Sequence, residues 1–303
     1  MNSLFKLTPE VASALETGSP VLALESTIIS HGMPYPQNLE FALRAEQLVR
    51  DKGVVPATIA IQNGKACIGL SEIELQVLVQ NDEIKKVATR DIGIALAEKS
   101  IGATTVSATM HLAHQVGIKV FATGGIGGVH RSVEKSFDIS QDLRELGRTP
   151  MVVVSAGCKA ILDIPRTIEY LETEGVTVLG YQTDDFPAFY SRKSGSPAPG
   201  RIESCTEIAE LYRLENIINQ PGAILIANPV PHKDEIPEEN INTYIEQALG
   251  ECRAKNIGGK GVTPFLLGRI VELTGGKSLK ANIALAMNNI KLGAEIAQAI
   301  HMK

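Results

Sequence analysis

Apolar residues in this chain gather into short unbroken runs, at 21–24, 58–61, 104–106, 119–122, 151–154, 176–179 and 223–227, separated by longer stretches with helical periodicity or turn residues. Runs of this length without apolar-polar alternation fit strands buried on both faces and joined by helical crossovers. The pattern therefore predicts an α/β fold. Helix starts are signalled by Ser140 or Asp138 ahead of a helix over 141–146, and by Ser278 ahead of a long helix over 279–300. Residues 191–200 hold two prolines, two glycines and three serines, and read as an exposed loop within one domain, with a lid as the alternative. No repeat or low-complexity block divides the sequence, so residues 1–303 are expected to form a single domain.

Open α/β sheets and α/β barrels alike bind ligands beyond the carboxyl ends of their strands, so the residues that follow each run matter most. These are Glu25-Ser26-Thr27, Gln62-Asn63-Gly64, Thr123-Gly124-Gly125, Ser155-Ala156-Gly157-Cys158-Lys159, Gln182-Thr183-Asp184 and Asn228-Pro229. One crevice floor would collect a carboxylate, an amine, amides and a glycine-rich turn.

Composition narrows the classes of function. A chain of 303 residues with 44% hydrophobic content can bury one large core, and a net charge of -5 gives no basic surface for nucleic acid. The first ten residues lack a signal-type apolar run, and no stretch reaches the roughly 18 apolar residues that cross a bilayer. A soluble, cytoplasmic protein without a membrane partner is expected. Cys67, Cys158, Cys205 and Cys252 are far apart and show no metal-ligand spacing, so they read as reduced, mostly buried thiols.

Lys159 follows a predicted strand and a small turn and precedes 160–162, which can open a helix. An ammonium at a helix start faces the positive end of the macrodipole and loses hydration, and both effects favour the nucleophilic neutral amine. The alternative is a solvated lysine at a strand-helix corner. Glu25 ends a wholly apolar run, where partial burial raises a carboxyl toward the range useful for proton transfer; a capping or ion-paired glutamate is the other reading. The run 123–131, Thr-Gly-Gly-Ile-Gly-Gly-Val-His-Arg, has enough glycine for an anion nest assisted by His130 and Arg131, and a tight structural turn explains the glycines as well. It lacks both the Walker ending and the dinucleotide spacing. Asp138, Ser140 and Asp142 are a possible meeting point for a hard divalent cation, or simply a capped helix start. His111 and His114, three apart, read as residues of a helix face rather than metal ligands.

Taken in order, the runs 23–38, 123–131, 137–140, 156–163, 180–183, 227–231, 263–267 and 273–282 resemble the pseudouridine-5′-phosphate glycosidase family, whose relatives include indigoidine synthase A-like proteins. The resemblance implies a single-domain, three-layer α/β/α sandwich with a mostly parallel central sheet, assembled as a homotrimer and assisted by one Mn²⁺ per subunit. By position, Glu25 matches the family's proton donor, Lys159 its Schiff-base lysine and Asp138 its metal-associated aspartate. Lys86, the Val106 backbone, His130, Ser140, Gln141, Asp142 and Asn282 fall where the family holds substrate, with Asn282 suited to reading the uracil edge. Cys158 stands where relatives have alanine.

The implied activity is reversible cleavage of pseudouridine 5′-phosphate to uracil and ribose 5-phosphate, a lyase-type step in pseudouridine catabolism. A C-glycoside has no leaving-group heteroatom to protonate, so the paired carboxylates of an O-glycosidase are poorly matched to it, whereas a lysine adduct divides the cleavage into smaller steps. The alternatives are a related enzyme of indigoidine-type pigment biosynthesis and a non-catalytic sugar-phosphate-binding module.

Overall fold

A computed structural model describes residues 3–81 and 83–302, with only the backbone of Lys260. The strands are β1 (Phe5–Leu7), β2 (Val21–Leu24), β3 (Val55–Gln62), β4 (Lys65–Ile68), β5 (Lys85–Val87) and β6 (Gly102–Thr104). They continue as β7 (Val120–Ala122), β8 (Val152–Ser155), β9 (Thr177–Tyr181), β10 (Gly200–Ile202) and β11 (Ile224–Ala227). Along the sheet their order is β1-β4-β3-β2-β7-β8-β11-β9-β10, with β6 branching from β3 and β5 pairing β6. The pairings are parallel except β3 with β4 and β3 with β6. This is the α/β fold that the apolar runs predict. The central strands β2, β7, β8 and β11 are buried throughout, because helices cover both faces.

Helices Gln37–Asp51, Cys205–Ile217 and Lys277–His301 pack side by side on one face, the last of them across β2, β7 and β8. Helices Val106–Gln115, Gln141–Leu146 and Ile164–Thr173 form the opposite layer. Gly293 lets the long helix approach the sheet: a Cβ there would lie 3.0 Å from both Ala122 and Leu22.

Several sequence expectations need correction. The run 104–106 divides: β6 ends at Thr104, Thr105 is the N-cap, and Val106 opens a helix. Asn63 and Gly64, with φ of 51° and 72°, form the two-residue turn of the β3–β4 hairpin and not a crevice floor, since left-handed backbone at both positions suits such a turn. The long C-terminal helix begins at Lys277 after a left-handed Gly276, so Ser278 lies inside it and bonds with Thr274. Helix Gln141–Leu146 begins as expected, with the Ser140 hydroxyl accepting from the Asp142 N–H. Residues 192–199 form a loop of alternating exposed and part-buried positions between the buried Ser191 and Gly200, which opens β10, and Asp185 and Ile236 tie it down. All four cysteines are free, and only Cys205 is partly exposed.

Candidate active site

The carboxyl ends of β2, β6, β7 and β8 open into one cavity of about 240 Å³. Every residue that the family resemblance places at the site lines it: Glu25, Lys86, Val106, His130, Asp138, Ser140, Gln141, Asp142, Lys159 and Asn282. Gln62 and Gln182 are not among its walls, because β3 continues into a hairpin and β9 lies toward the far edge of the sheet.

Glu25 follows the last residue of β2 and is buried. The Thr123 hydroxyl, at the end of β7, donates to its Oε1 at 2.8 Å. Burial is the largest influence on the carboxyl and raises its pKa above the ordinary range, against the opposing pull of Lys159 and the Thr123 hydroxyl. The wall therefore holds a carboxyl that retains its proton more readily than a solvated one.

Lys159 reaches the same cavity by a different route from the one its sequence neighbours imply. No helix begins there: the next one starts at Ile164, with Asp163 as its N-cap. Instead, residues 156–163 run beside the glycine-rich segment as a ribbon. Ala156 N–H donates to Gly124 O, Ile126 N–H to Gly157 O, Lys159 N–H to Ile126 O and Asp163 N–H to Val129 O, at 2.9, 3.1, 3.0 and 2.9 Å. The Lys159 Nζ donates to Gly125 O at 2.9 Å, which aims the amine along the cavity wall. Helix-start electrostatics therefore do not apply to it. Cys158 beside it is fully buried, its thiol pushed up to about 12 by desolvation, and is unsuited to act as a thiolate nucleophile.

The glycines serve this ribbon more than an anion nest. A Cβ on Gly125 would lie 2.6 Å from the Phe189 ring, one on Gly127 2.2 Å from Ser140 Oγ, and one on Gly128 2.5 Å from Thr167 Oγ1. The Gly127 N–H is occupied by Asp142 Oδ2 at 2.8 Å, while Asp142 Oδ1 accepts from the Ser107 N–H at 2.9 Å. Asp142 thus lines the cavity but devotes both oxygens to joining the glycine segment to the start of helix Val106–Gln115. Arg131 turns away, paired with Glu246 and donating to Ala160 O, so it adds no charge to the cavity.

The wall also includes Lys86, the first turn of helix Val106–Gln115, and Ser140. Val106 is at the first helical position, where the helix itself offers its N–H no partner and an anion is favoured. Asn282, on the long helix, is buried, and its Oδ1 lacks a hydrogen-bond partner. A buried acceptor in that state is costly, and a ligand N–H or O–H aimed at it would remove the cost.

Asp138 stands half-exposed at the rim, 3.8 Å from His130 Nε2. Desolvation lowers the His130 pKa, with Asp138 opposing. Among the described residues no three His, Cys, Asp or Glu side chains gather as a metal cage. One carboxylate beside a ligand pocket still fits a hard cation held mostly by water and substrate oxygens. His111 bonds to Glu145 at 3.3 Å and His114 is exposed on the same helix, as expected of helix-face residues.

Sequence reasoning missed several wall residues, His31, Arg90, Phe189 and Thr263 among them. His31 accepts from or donates to Ser30 Oγ at 2.7 Å and meets Ile84 O at 3.2 Å. It sits within the matched run 23–38, which was the available signal. Arg90, Thr263 and Phe189 also line the cavity. Phe189 has a left-handed φ of 62° while buried, and that backbone state leaves no mark in the sequence.

Known proteins resemble this chain over nearly its full length. A pseudouridine-5′-phosphate glycosidase of Methylobacterium nodulans is 54% identical over 98% of this chain and 88% of its own length. One from Mesorhizobium japonicum is 55% identical over 96% of this chain and 95% of its own. The crystal structure of the prealnumycin C-glycosynthase AlnA in complex with ribulose 5-phosphate superposes with a TM-score of 0.92 at 38% identity, covering 100% of this chain and 98% of that one. An indigoidine synthase A-like protein of Thermotoga maritima superposes with a TM-score of 0.88 at 40% identity, over 98% and 97% of the two chains. The family profile described as indigoidine synthase A like protein matches residues 10–299. No helix among the described residues is long and apolar enough to cross a membrane. With sequence, fold and cavity in agreement, the chain belongs to the indigoidine synthase A like protein family.

Proposed function

We propose that this chain cleaves the C–C glycosidic bond of pseudouridine 5′-phosphate, giving uracil and ribose 5-phosphate, and also runs the reverse reaction. The observation that carries the reading is the convergence of a buried, proton-retaining Glu25, the Lys159 amine and the unpartnered Asn282 Oδ1 on one cavity. Relatives bearing the glycosidase name at 54% identity support it. A binding module would need neither the amine nor the raised carboxyl.

In this reading the phosphate lies near Lys86, the Val106 N–H and Ser140, with Gln141 and the Asp142-braced turn beside it. Uracil offers an N–H to Asn282. Glu25 gives its proton to the ribose ring oxygen as the C1′–O4′ bond opens, while uracil N1 passes its proton to water, its electron pair forms N1=C6 and the C5=C6 pair becomes a double bond from C5 to C1′. Lys159 Nζ adds to C1′. Protonation at uracil C5 then releases the base: the C1′–C5 electron pair returns to the ring as the lysine nitrogen forms the imine, and N1 regains its proton from water. Water hydrolyses the remaining imine of ribose 5-phosphate and frees Lys159. Mn²⁺ would be held by Asp138 with His130 alongside, and when bound it supplies positive charge next to the anionic substrate. Lys159 is already oriented by Gly125 O, so the chain pays little ordering entropy at the attacking atom. The homotrimer and the cytoplasmic setting belong to the same proposal, supported by the family resemblance, and sedimentation of the 32.4 kDa chain tests the assembly.

Incubation with pseudouridine 5′-phosphate and Mn²⁺ should release uracil, and borohydride added with ribose 5-phosphate should leave a stable adduct on the Lys159 peptide. An adduct on another lysine, or full turnover by Lys159→Ala, would refute the mechanism.

A further inference from the structure

Glu25 and Lys159 come from different strands, yet both are fixed by one short segment, 123–125. The Thr123 hydroxyl holds Glu25, and Gly125 O holds Lys159 Nζ. What fixes that segment lies beneath it. Asn289, on helix Lys277–His301, is completely buried at 0% exposure. Its Nδ2 donates to Thr123 O at 2.8 Å and to Gly124 O at 3.2 Å, and its Oδ1 accepts from Asn228 Nδ2 at 3.0 Å. Asn228, at the end of β11, is itself anchored by its N–H to Ser155 O at 2.8 Å. A primary amide with both N–H groups and its oxygen engaged inside a core has a single orientation. The same helix carries Asn282 two turns earlier, on the side facing the cavity.

Resting on the reading of Glu25 and Lys159 above, we infer that Asn289, oriented by Asn228, is a positioning residue for the reaction: it sets the acid and the amine relative to each other, and both relative to Asn282, through the Thr123–Gly124 peptide. It touches no reacting atom. An apolar residue of similar volume would fill the space but remove the side-chain donor from the Thr123 carbonyl and the partner from the Asn228 amide, so the amide fixes the direction of the two carbonyls as well as satisfying them. Thr123 and Gly125 sit on either side of the clamped peptide, so a slip of the segment moves both reacting groups together. Glu25 is faced by Lys159, Lys86 and Asp142 as well as by Thr123, and the balance among them depends on where Thr123 points.

The test compares wild type with Asn289→Ala and Asn228→Ala in three readouts: kcat and KM for pseudouridine 5′-phosphate, the pH profile of kcat/KM, and the rate at which borohydride traps ribose 5-phosphate on Lys159. With the fold intact by circular dichroism, Asn289→Ala should lower kcat by about tenfold to a hundredfold, the scale of a misplaced reacting group. KM should move by less than about threefold, since the substrate contacts are made elsewhere. The trapping rate should fall in parallel, and the limb of the pH profile that reports Glu25 should move to higher pH as the Thr123 hydroxyl loosens. Asn228→Ala should show the same pattern, more weakly, and decides the matter if Asn289→Ala does not fold. Folded variants with near-normal kcat and an unmoved limb overturn the inference. Collapse of both variants also overturns it, since the amides then serve the core and not the site. Absence of any adduct in wild type would instead refute the reading of Lys159, whereas a wild-type adduct formed equally fast by Asn289→Ala would refute only the role of Asn289.

Discussion

Glu25 has opposite consequences for stability and for chemistry. Its carboxyl is raised by burial, so it binds a proton more tightly in the folded chain than in the unfolded one. Its contribution to stability is therefore full below the unfolded pKa and is lost as pH rises through the folded value. Glu25→Gln removes that loss. The variant should be more stable than wild type at neutral pH by about 0.5–2 kcal/mol, the range of a favourable single substitution, with the gain vanishing in acid where Glu25 is protonated. Its turnover should fall by about a hundredfold or more, while the imine with free ribose 5-phosphate still forms. Thermal melts from acid to neutral pH, run beside the uracil assay, check both halves; a neutral-pH loss of stability would mean that Lys159 fully compensates the carboxylate. Both reacting residues were legible in the sequence because each closely follows an apolar run. The reason assigned to Lys159 was not: the ribbon that aims it is made of backbone pairings between distant segments, which no local window contains.

At the scale of elements, the glycine segment, the turn at Ser140 and the start of helix Val106–Gln115 are linked by the Asp142 carboxylate. Gly127→Ala would place a methyl 2.2 Å from Ser140 Oγ and 2.7 Å from Asp142 Oδ2, and the side chains must move. The expected outcome is a KM for pseudouridine 5′-phosphate raised by about tenfold or more, with the preference over unphosphorylated pseudouridine reduced, because remote binding energy is lost. Comparing kcat/KM for the two substrates measures this, and an unchanged ratio would free the phosphate end from the Asp142 link. The seven apolar runs all contribute to strands because the middle of a parallel sheet is buried on both faces. β1, β4, β5 and β10 escaped that reading because each is only three or four residues long and includes a lysine or arginine. The antiparallel pairing of β3 with β4 follows from the Asn63-Gly64 turn, a hairpin signal present in the sequence but read as part of the crevice, whereas the antiparallel pairing with β6 joins distant segments and has no local signal.

At the scale of the whole molecule, the proposed metal position is peripheral to the core. Chelation should abolish most turnover, Mn²⁺ should restore it, and the melting temperature should stay within about a degree or two, because a hard cation with few protein ligands adds little to folding. Calorimetry with and without chelator tests this, and a large fall in melting temperature would assign the ion a structural place. A different part of the chain sets its tolerance of manipulation. β1 lies at one end of the sheet, with Leu4 O accepting from Ala66 N–H at 2.9 Å and Thr8 N–H donating to Ile68 O at 3.2 Å. Removing the residues ahead of helix Pro9–Thr17 would leave the outer backbone of β4 open, a template onto which another chain can add a strand. Such a truncated protein should keep its cavity and its activity when freshly diluted, yet lose solubility with time and concentration, visible as growing scatter at low protein load. An affinity tag belongs at the C-terminus or behind a flexible spacer, because β1 is a short edge strand that carries Lys6, whereas the β4 strand it covers would present a longer and more apolar edge.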